Sequence, residues 1–171
     1  GYSLHICELR PKSRGYISLN SADPAEPAHI QPNYLEAPED MEKMVRAVKV
    51  GRAVLAQPAF DPYRGAEIFP GERVRSDDEI RDFVRRKANT IYHPVGTCKM
   101  GQDDSAVVDE RLRVRGMEGL RVIDASIMPT LVGGNTNAPT IAIAEKGAEM
   151  ILEDRKRGRE PSATVAVAAA Q

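Results

Sequence analysis

What the chain lacks narrows it first. It holds two cysteines, Cys7 and Cys98, in 171 residues. That is too few for a disulfide framework, and free or buried thiols fit a reducing compartment. Three histidines and no Cys-x-x-Cys pair leave little from which to build a metal centre. The net charge is −1, so no basic field draws the chain to nucleic acid. No apolar run is long enough to span a bilayer, and no secretory signal opens the sequence. An initiator methionine is missing too. The chain starts Gly-Tyr-Ser-Leu-His-Ile, already in a strand-like pattern, and so reads as a piece whose amino-terminal part lies elsewhere. What is present is ordinary for a globular domain: 42% hydrophobic and 29% charged residues, in a length that can bury a core.

The most distinctive stretch is residues 92–101, Tyr-His-Pro-Val-Gly-Thr-Cys-Lys-Met-Gly. Pro94 fixes its own φ and biases His93 toward extended backbone. Gly96 and Gly101 permit positive φ or a close approach by another group. A stiff segment therefore presents one imidazole, either as a proton-transfer group near neutral pH or as a structural histidine bonded to backbone. Some forty residues on, Val-Gly-Gly-Asn-Thr-Asn-Ala-Pro-Thr at 132–140 has similar character.

Elements follow from pattern and punctuation. Tyr2, Leu4 and Ile6 alternate and predict a strand, with His5 on its other face. Residues 16–19 predict a second strand, and residues 29–35 an edge strand interrupted by Pro32. Pro38-Glu39-Asp40 opens a helix carrying Met41, Met44, Val45, Val48 and Leu55, with Lys43, Arg46, Lys49 and Arg52 as a solvated face. The irregular residues 60–75 form either a rim loop or a plain surface connection. Ser76-Asp77-Asp78-Glu79 is a capping box for a short helix with Ile80, Phe83 and Val84 inside. Leu120-Arg121-Val122-Ile123-Asp124 reads as the clearest strand. The last helix is expected over 140–154, with Ile141, Ala144, Ala148 and Ile151 on its packed stripe. Residues 154–171, ending in an Ala/Val tract, are expected to be a disordered tail.

Three motifs in order carry a resemblance: residues 92–101, then Leu-Arg-Val-Ile-Asp-Ala-Ser-Ile-Met-Pro at 120–129, then Gly-Gly-Asn-Thr-Asn-Ala-Pro-Thr at 133–140. Together with Leu-Arg-Pro-Lys-Ser-Arg-Gly at 9–15 and Asn33-Tyr34-Leu35, the chain resembles the carboxy-terminal part of a glucose–methanol–choline (GMC) flavoprotein oxidoreductase. The wording of the last motif is nearest the alcohol dehydrogenase branch, with choline dehydrogenases as neighbours. The likeness implies an α+β fold in which residues 1–90 supply part of an antiparallel-sheet substrate domain. Residues 91–153 would be the catalytic segment, a strand, loop and helix that complete an FAD-binding domain.

The resemblance implies oxidation of a primary alcohol to an aldehyde, with hydride passing to flavin N5 and His93 taking the hydroxyl proton. Asn135 falls at the second catalytic position, and Asn137 fits the same position if the motif is slid. Asp124, Ala125, Thr136, Asn137 and Pro139 are the implied FAD contacts. Asp124 also reads as an ordinary cap of the turn that follows it. Cys98 reads as a small core residue and Lys99 as structural. The family's Gly-x-Gly-x-x-Gly, which holds the adenylate end of FAD, has no counterpart here. The implied partners are therefore an alcohol, an electron acceptor such as a quinone, and the amino-terminal FAD-binding portion of the same enzyme, without which the chain would be inactive. Use of the fold as an oxidase, or as a non-catalytic binding domain left by truncation, is the alternative. The implied location is the cytoplasm or the periphery of a membrane.

Overall fold

The computed structural model describes residues 1–158. The chain divides into two compact units, Gly1–Tyr92 and a second from His93 onward. In the first, β1 (Tyr16–Ser18) pairs antiparallel with β2 (His29–Gln31), placing Tyr16 opposite Gln31 and Ser18 opposite His29. This exposed pair is the only regular sheet among the described residues, so the α+β chain is short of β.

The core of the first unit is a helix pair. Helix α1 (Pro38–Leu55) begins on Pro38, with Glu39 and Asp40 in its first turn, where the fixed φ and the helix dipole favour them. Its Met41 and Val45 pack on Ile80 and Val84 of α2 (Asp77–Lys87), with Leu35, Met44, Val48, Val74 and Phe83 around them. The capping box at the start of α2 is formed: Glu79 N–H donates to Ser76 Oγ at 3.3 Å, and Ser76 N–H donates to Glu79 Oε2 at 2.8 Å.

Asp40 is the polar anchor of this unit, at 1% exposure. Its carboxylate accepts from Lys12 N at 2.9 Å, from Ser13 N at 2.8 Å and from Ser13 Oγ at 2.6 Å. Ser13 Oγ in turn accepts from Ala37 N at 3.0 Å. One side chain thus ties the turn before β1 to the start of α1. Burial pushes the Asp40 carboxyl up. The bonds from Ser13 and Lys12 and the nearby Lys43 ammonium outweigh it, and the group titrates below the ordinary aspartate value.

Two expectations for this unit are corrected. Residues 1–10 form no strand. Alternation alone cannot make one without a neighbouring chain to complete the ladder, and Leu4 and Ile6 instead lie against α1 at Gly51. The basic face of α1 is not simply solvated. Arg52 donates to both oxygens of Glu67 at 2.9 Å and to the carbonyls of Val74 (2.7 Å) and Gly71 (3.0 Å). It clasps the irregular loop to the helix.

The second unit is built on single bridges rather than strands. Met100 bridges Val108 in parallel, while Val108 bridges Val114 and Arg113 bridges Arg121, both antiparallel. Val108, Leu112 and Ile127 form its core, with Ile143 and Met150 of α3 (Asn137–Lys156) packed on it. The expected strand at 120–124 is therefore only a bridge. Its partner segment turns away at Leu112, whose φ is +64°, a conformation that interrupts extended pairing.

The packed stripe of α3 is also corrected. Gly147 and Asp154 are the buried residues of α3, in phase with Ile143 and Met150, while Ile141 and Ala148 are exposed. A Cβ on Gly147 would fall 2.5 Å from Ile123 Cγ2, so the absent side chain sets how closely the helix approaches. α3 continues through Asp154, Arg155 and Lys156, into the stretch expected as tail. Residues 159–171 lie outside the described residues. Among the described residues no helix is long and apolar enough to cross a membrane.

Candidate active site

The three motif stretches meet inside the second unit. The arm that follows His93 is laid along the 126–128 turn: Cys98 N–H donates to Ser126 O at 3.0 Å, and Met100 N–H to Ile127 O at 2.8 Å. Gly96 makes this possible. Its φ is +90°, and a Cβ there would stand 3.3 Å from Met128 O, so a side chain would meet both backbone strain and crowding. Lys99 pairs with Asp103 at 3.0 Å, and the Lys99 carbonyl accepts from Val107 N at 3.0 Å. Cys98 is half-buried in the arm. Among the described residues no group of His, Cys, Asp and Glu side chains is arranged to hold a metal ion.

The third stretch reaches the arm through side chains. His93 Nδ1 and Thr136 Oγ1 are 2.9 Å apart. Thr136 is buried, and its main-chain carbonyl accepts from Thr140 N at 3.0 Å and Thr140 Oγ1 at 2.7 Å, closing the first turn of α3. Asn135 and Asn137 flank it, both exposed, and neither side chain makes a hydrogen bond among the described residues. Asn137 is the first residue of α3 and Pro139 the third. Asp124 caps the turn Ala125–Ile127, its Oδ1 accepting from Ser126 N at 2.7 Å. Of the residues named from sequence, then, His93 and Thr136 are in direct contact, Asn135 and Asn137 lie beside that contact, and Asp124 and Ala125 belong to the turn that carries the arm.

A buried charge cluster holds the far end of α3. Asp154 accepts from Arg121 Nη2 at 2.6 Å and Arg111 Nη2 at 2.9 Å, and Arg111 also reaches Glu153 Oε2 at 3.2 Å and Met150 O at 3.1 Å. Burial raises the Asp154 pKa, and the two guanidiniums more than reverse that, leaving it below the ordinary value. Sequence reading missed this cluster. Its signal was a carboxylate at 154 in helical phase with the apolar positions 143, 147 and 150, since a charge on a packed face must be paired.

The GMC oxidoreductase family model matches residues 11–144. The chain belongs to the GMC oxidoreductase family. Among the curated members it resembles are the alcohol dehydrogenase [acceptor] of Pseudomonas putida, 57% identical over 152 residues, covering 89% of this chain and 28% of that protein, and an oxygen-dependent choline dehydrogenase of Chromohalobacter salexigens, 49% identical over 161 residues, covering 94% and 28%. Among solved GMC-like structures, a formate oxidase of Aspergillus oryzae RIB40, in work on FAD modification, superposes with a TM-score of 0.81 at 31% identity over 87% of this chain and 26% of that one. The chain thus spans about 28% of the length of the curated relatives it matches.

Proposed function

We propose that this GMC chain is the carboxy-terminal part of an FAD-dependent oxidoreductase that oxidises a primary alcohol to an aldehyde, with His93 as the base. The observation that carries the reading is the environment of one ring. His93 Nδ1 is engaged by Thr136, while Nε2 makes no hydrogen bond among the described residues. Such a ring has one nitrogen fixed and the other available to a hydroxyl proton. The two flanking asparagines offer neutral amides that can hold an alcohol oxygen without competing for its proton.

The residues present fit a flavin beside them. The first turn of α3 has no side-chain cap, so the N–H groups of Asn137 and Ala138 and the helix dipole suit the electron-rich edge of the ring system. Asn137 and Pro139 at that turn, with Asp124 and Ala125 on the neighbouring one, would line the cofactor. When bound, the flavin supplies a hydride acceptor. This chain's own part is to take the hydroxyl proton at His93 Nε2, to orient the carbinol through Asn135 or Asn137, and to hold both through Thr136 and the arm. The identity of 57% to an alcohol dehydrogenase, against 49% to a choline dehydrogenase, favours an uncharged alcohol; choline is the runner-up substrate.

The test is His93→Ala in the full-length flavoenzyme, followed by rapid-mixing absorbance. The expected result is retained FAD with flavin reduction by substrate slowed about 10²–10⁴-fold, the span of a general base. An unchanged reduction rate removes His93 from the reaction.

A further inference from the structure

We infer that Thr136 is the positioning residue of His93, holding Nδ1 so that Nε2 is the ring nitrogen turned to the substrate; the functional part of this rests on the reading of His93 as base. Thr136 occupies a capping position without capping. It is the N-cap of α3, with φ −85° and ψ −9° and no side-chain capping bond. An N-cap threonine ordinarily accepts from a first-turn N–H, and that bond stabilises a helix. Here Pro139 at the third helical position has no N–H to offer and the helical φ and ψ of Thr136 turn its hydroxyl off the helix end, and its one hydrogen-bond partner among the described residues is His93 Nδ1, at 2.9 Å. A buried hydroxyl with no capping bond and one partner is left to serve the ring.

A hydroxyl suits this task because it is both donor and acceptor. When Nδ1 carries a proton, its N–H donates to Thr136 Oγ1, and Nε2 of the neutral ring has a free lone pair. When Nδ1 is bare, the hydroxyl rotates and donates to it. The ring therefore keeps one orientation through a cycle of proton uptake and release at Nε2, with no flip of the imidazole. A valine at this place would keep the shape and the main-chain bonds to Thr140, which use the carbonyl of residue 136, and would lose only the grip on Nδ1. A serine would keep the grip.

Two measurements test this. In the first, the 171-residue chain is labelled with ¹⁵N-histidine, and the ring signals of wild type, Thr136→Val and Thr136→Ser are compared where the imidazoles are neutral, with the exposed His5 as internal reference. The expected result is a His93 pattern of an engaged Nδ1 that Thr136→Ser keeps and Thr136→Val shifts to that of His5. Unmoved His93 signals in Thr136→Val, with the rest of the spectrum retained, overturn the inference.

In the second, flavin reduction is followed in the full-length flavoenzyme. Thr136→Val is expected to slow it about 10–100-fold, the scale of a misplaced reacting group, at unchanged FAD content, and Thr136→Ser to restore it. A Thr136→Val enzyme as fast as wild type, when His93→Ala is slow, overturns the positioning role alone. A fast His93→Ala enzyme defeats the base reading instead, while the ring signals still decide whether Thr136 holds His93.

Discussion

Up to Tyr92 the chain is held as most small domains are. Two helices face each other across Met41, Val45, Ile80 and Val84, and the buried Asp40 ties the turn before β1 to the first of them. From His93 on, one helix faces a set of turns with only single bridges between them, and its charges are buried in a cluster at Asp154. Both units join an apolar core to a buried carboxylate, but the first sets helix against helix, whereas the second sets one helix against turns joined by single bridges. The unit that carries His93 is thus the one whose backbone is fixed by single bridges and turn bonds rather than by paired helices. That suits a site which must hold a few atoms to within a fraction of an ångström.

Three substitutions sharpen or break that contrast. Arg121→Ala is expected to cost the most, about 4 kcal/mol, because it takes one cation from a carboxylate that is 3% exposed. Hydrogen exchange should show the loss in amides from His93 onward, and a cost below about 1 kcal/mol, the surface-pair range, would put the second unit on the same footing as the first. Ile80→Ala, at a position with 0% exposure, is expected to cost about 3 kcal/mol through lost burial and a cavity. Its exchange should rise in the α1 and α2 amides, and an effect confined to the second unit would defeat the assignment of that core.

Asp40→Asn is the smallest, about 1–2 kcal/mol at neutral pH, as one hydrogen-bonded charge is removed from its donors. The folded Asp40 titrates below its unfolded value of about 3.9. Its stabilisation is therefore complete above that pH and is lost as pH falls through the lower folded value. Urea midpoints of wild type and Asp40→Asn should differ at pH 7 and converge in acid. A gap that persists in acid would mean that the charge is not what Asp40 contributes.

The parts of the fold that were legible in the sequence are those where local chemistry suffices. Ser76 and Glu79 cap a helix with groups three residues apart, and Pro38 starts one by its own ring. The exposed β1–β2 pair, expected over 16–19 and 29–35, formed as Tyr16–Ser18 and His29–Gln31, the second ending before Pro32. What was illegible depended on partners remote in sequence. The run at 120–124 has strand composition, but whether it pairs was decided at Leu112. The packed face of α3 was misjudged because Ile141 and Ala148 are as apolar as Ile143 and Gly147, and only Ile123 filling the place of a side chain on Gly147 distinguishes them. At the site, the motif pointed to His93 and to the 133–140 loop. The direct touch fell on Thr136, since a hydroxyl between two amides carries no mark in sequence of which atom it will serve.

The grip on α3 has a mechanical side. The helix is seated on Ile123 at Gly147 and pinned at Asp154, so the eleven residues from Asn137 to Gly147 form an arm about 15 Å long from that seat to the end that carries Thr136. A swing of only a few degrees about that seat carries its tip, and Thr136 with it, through about 1 Å, enough to cost two orders of magnitude where reacting atoms must align. The guanidiniums on Asp154 thus act as ballast for the imidazole at the other end, and under the proposed function the aim of the base is set by charges that never come near a substrate.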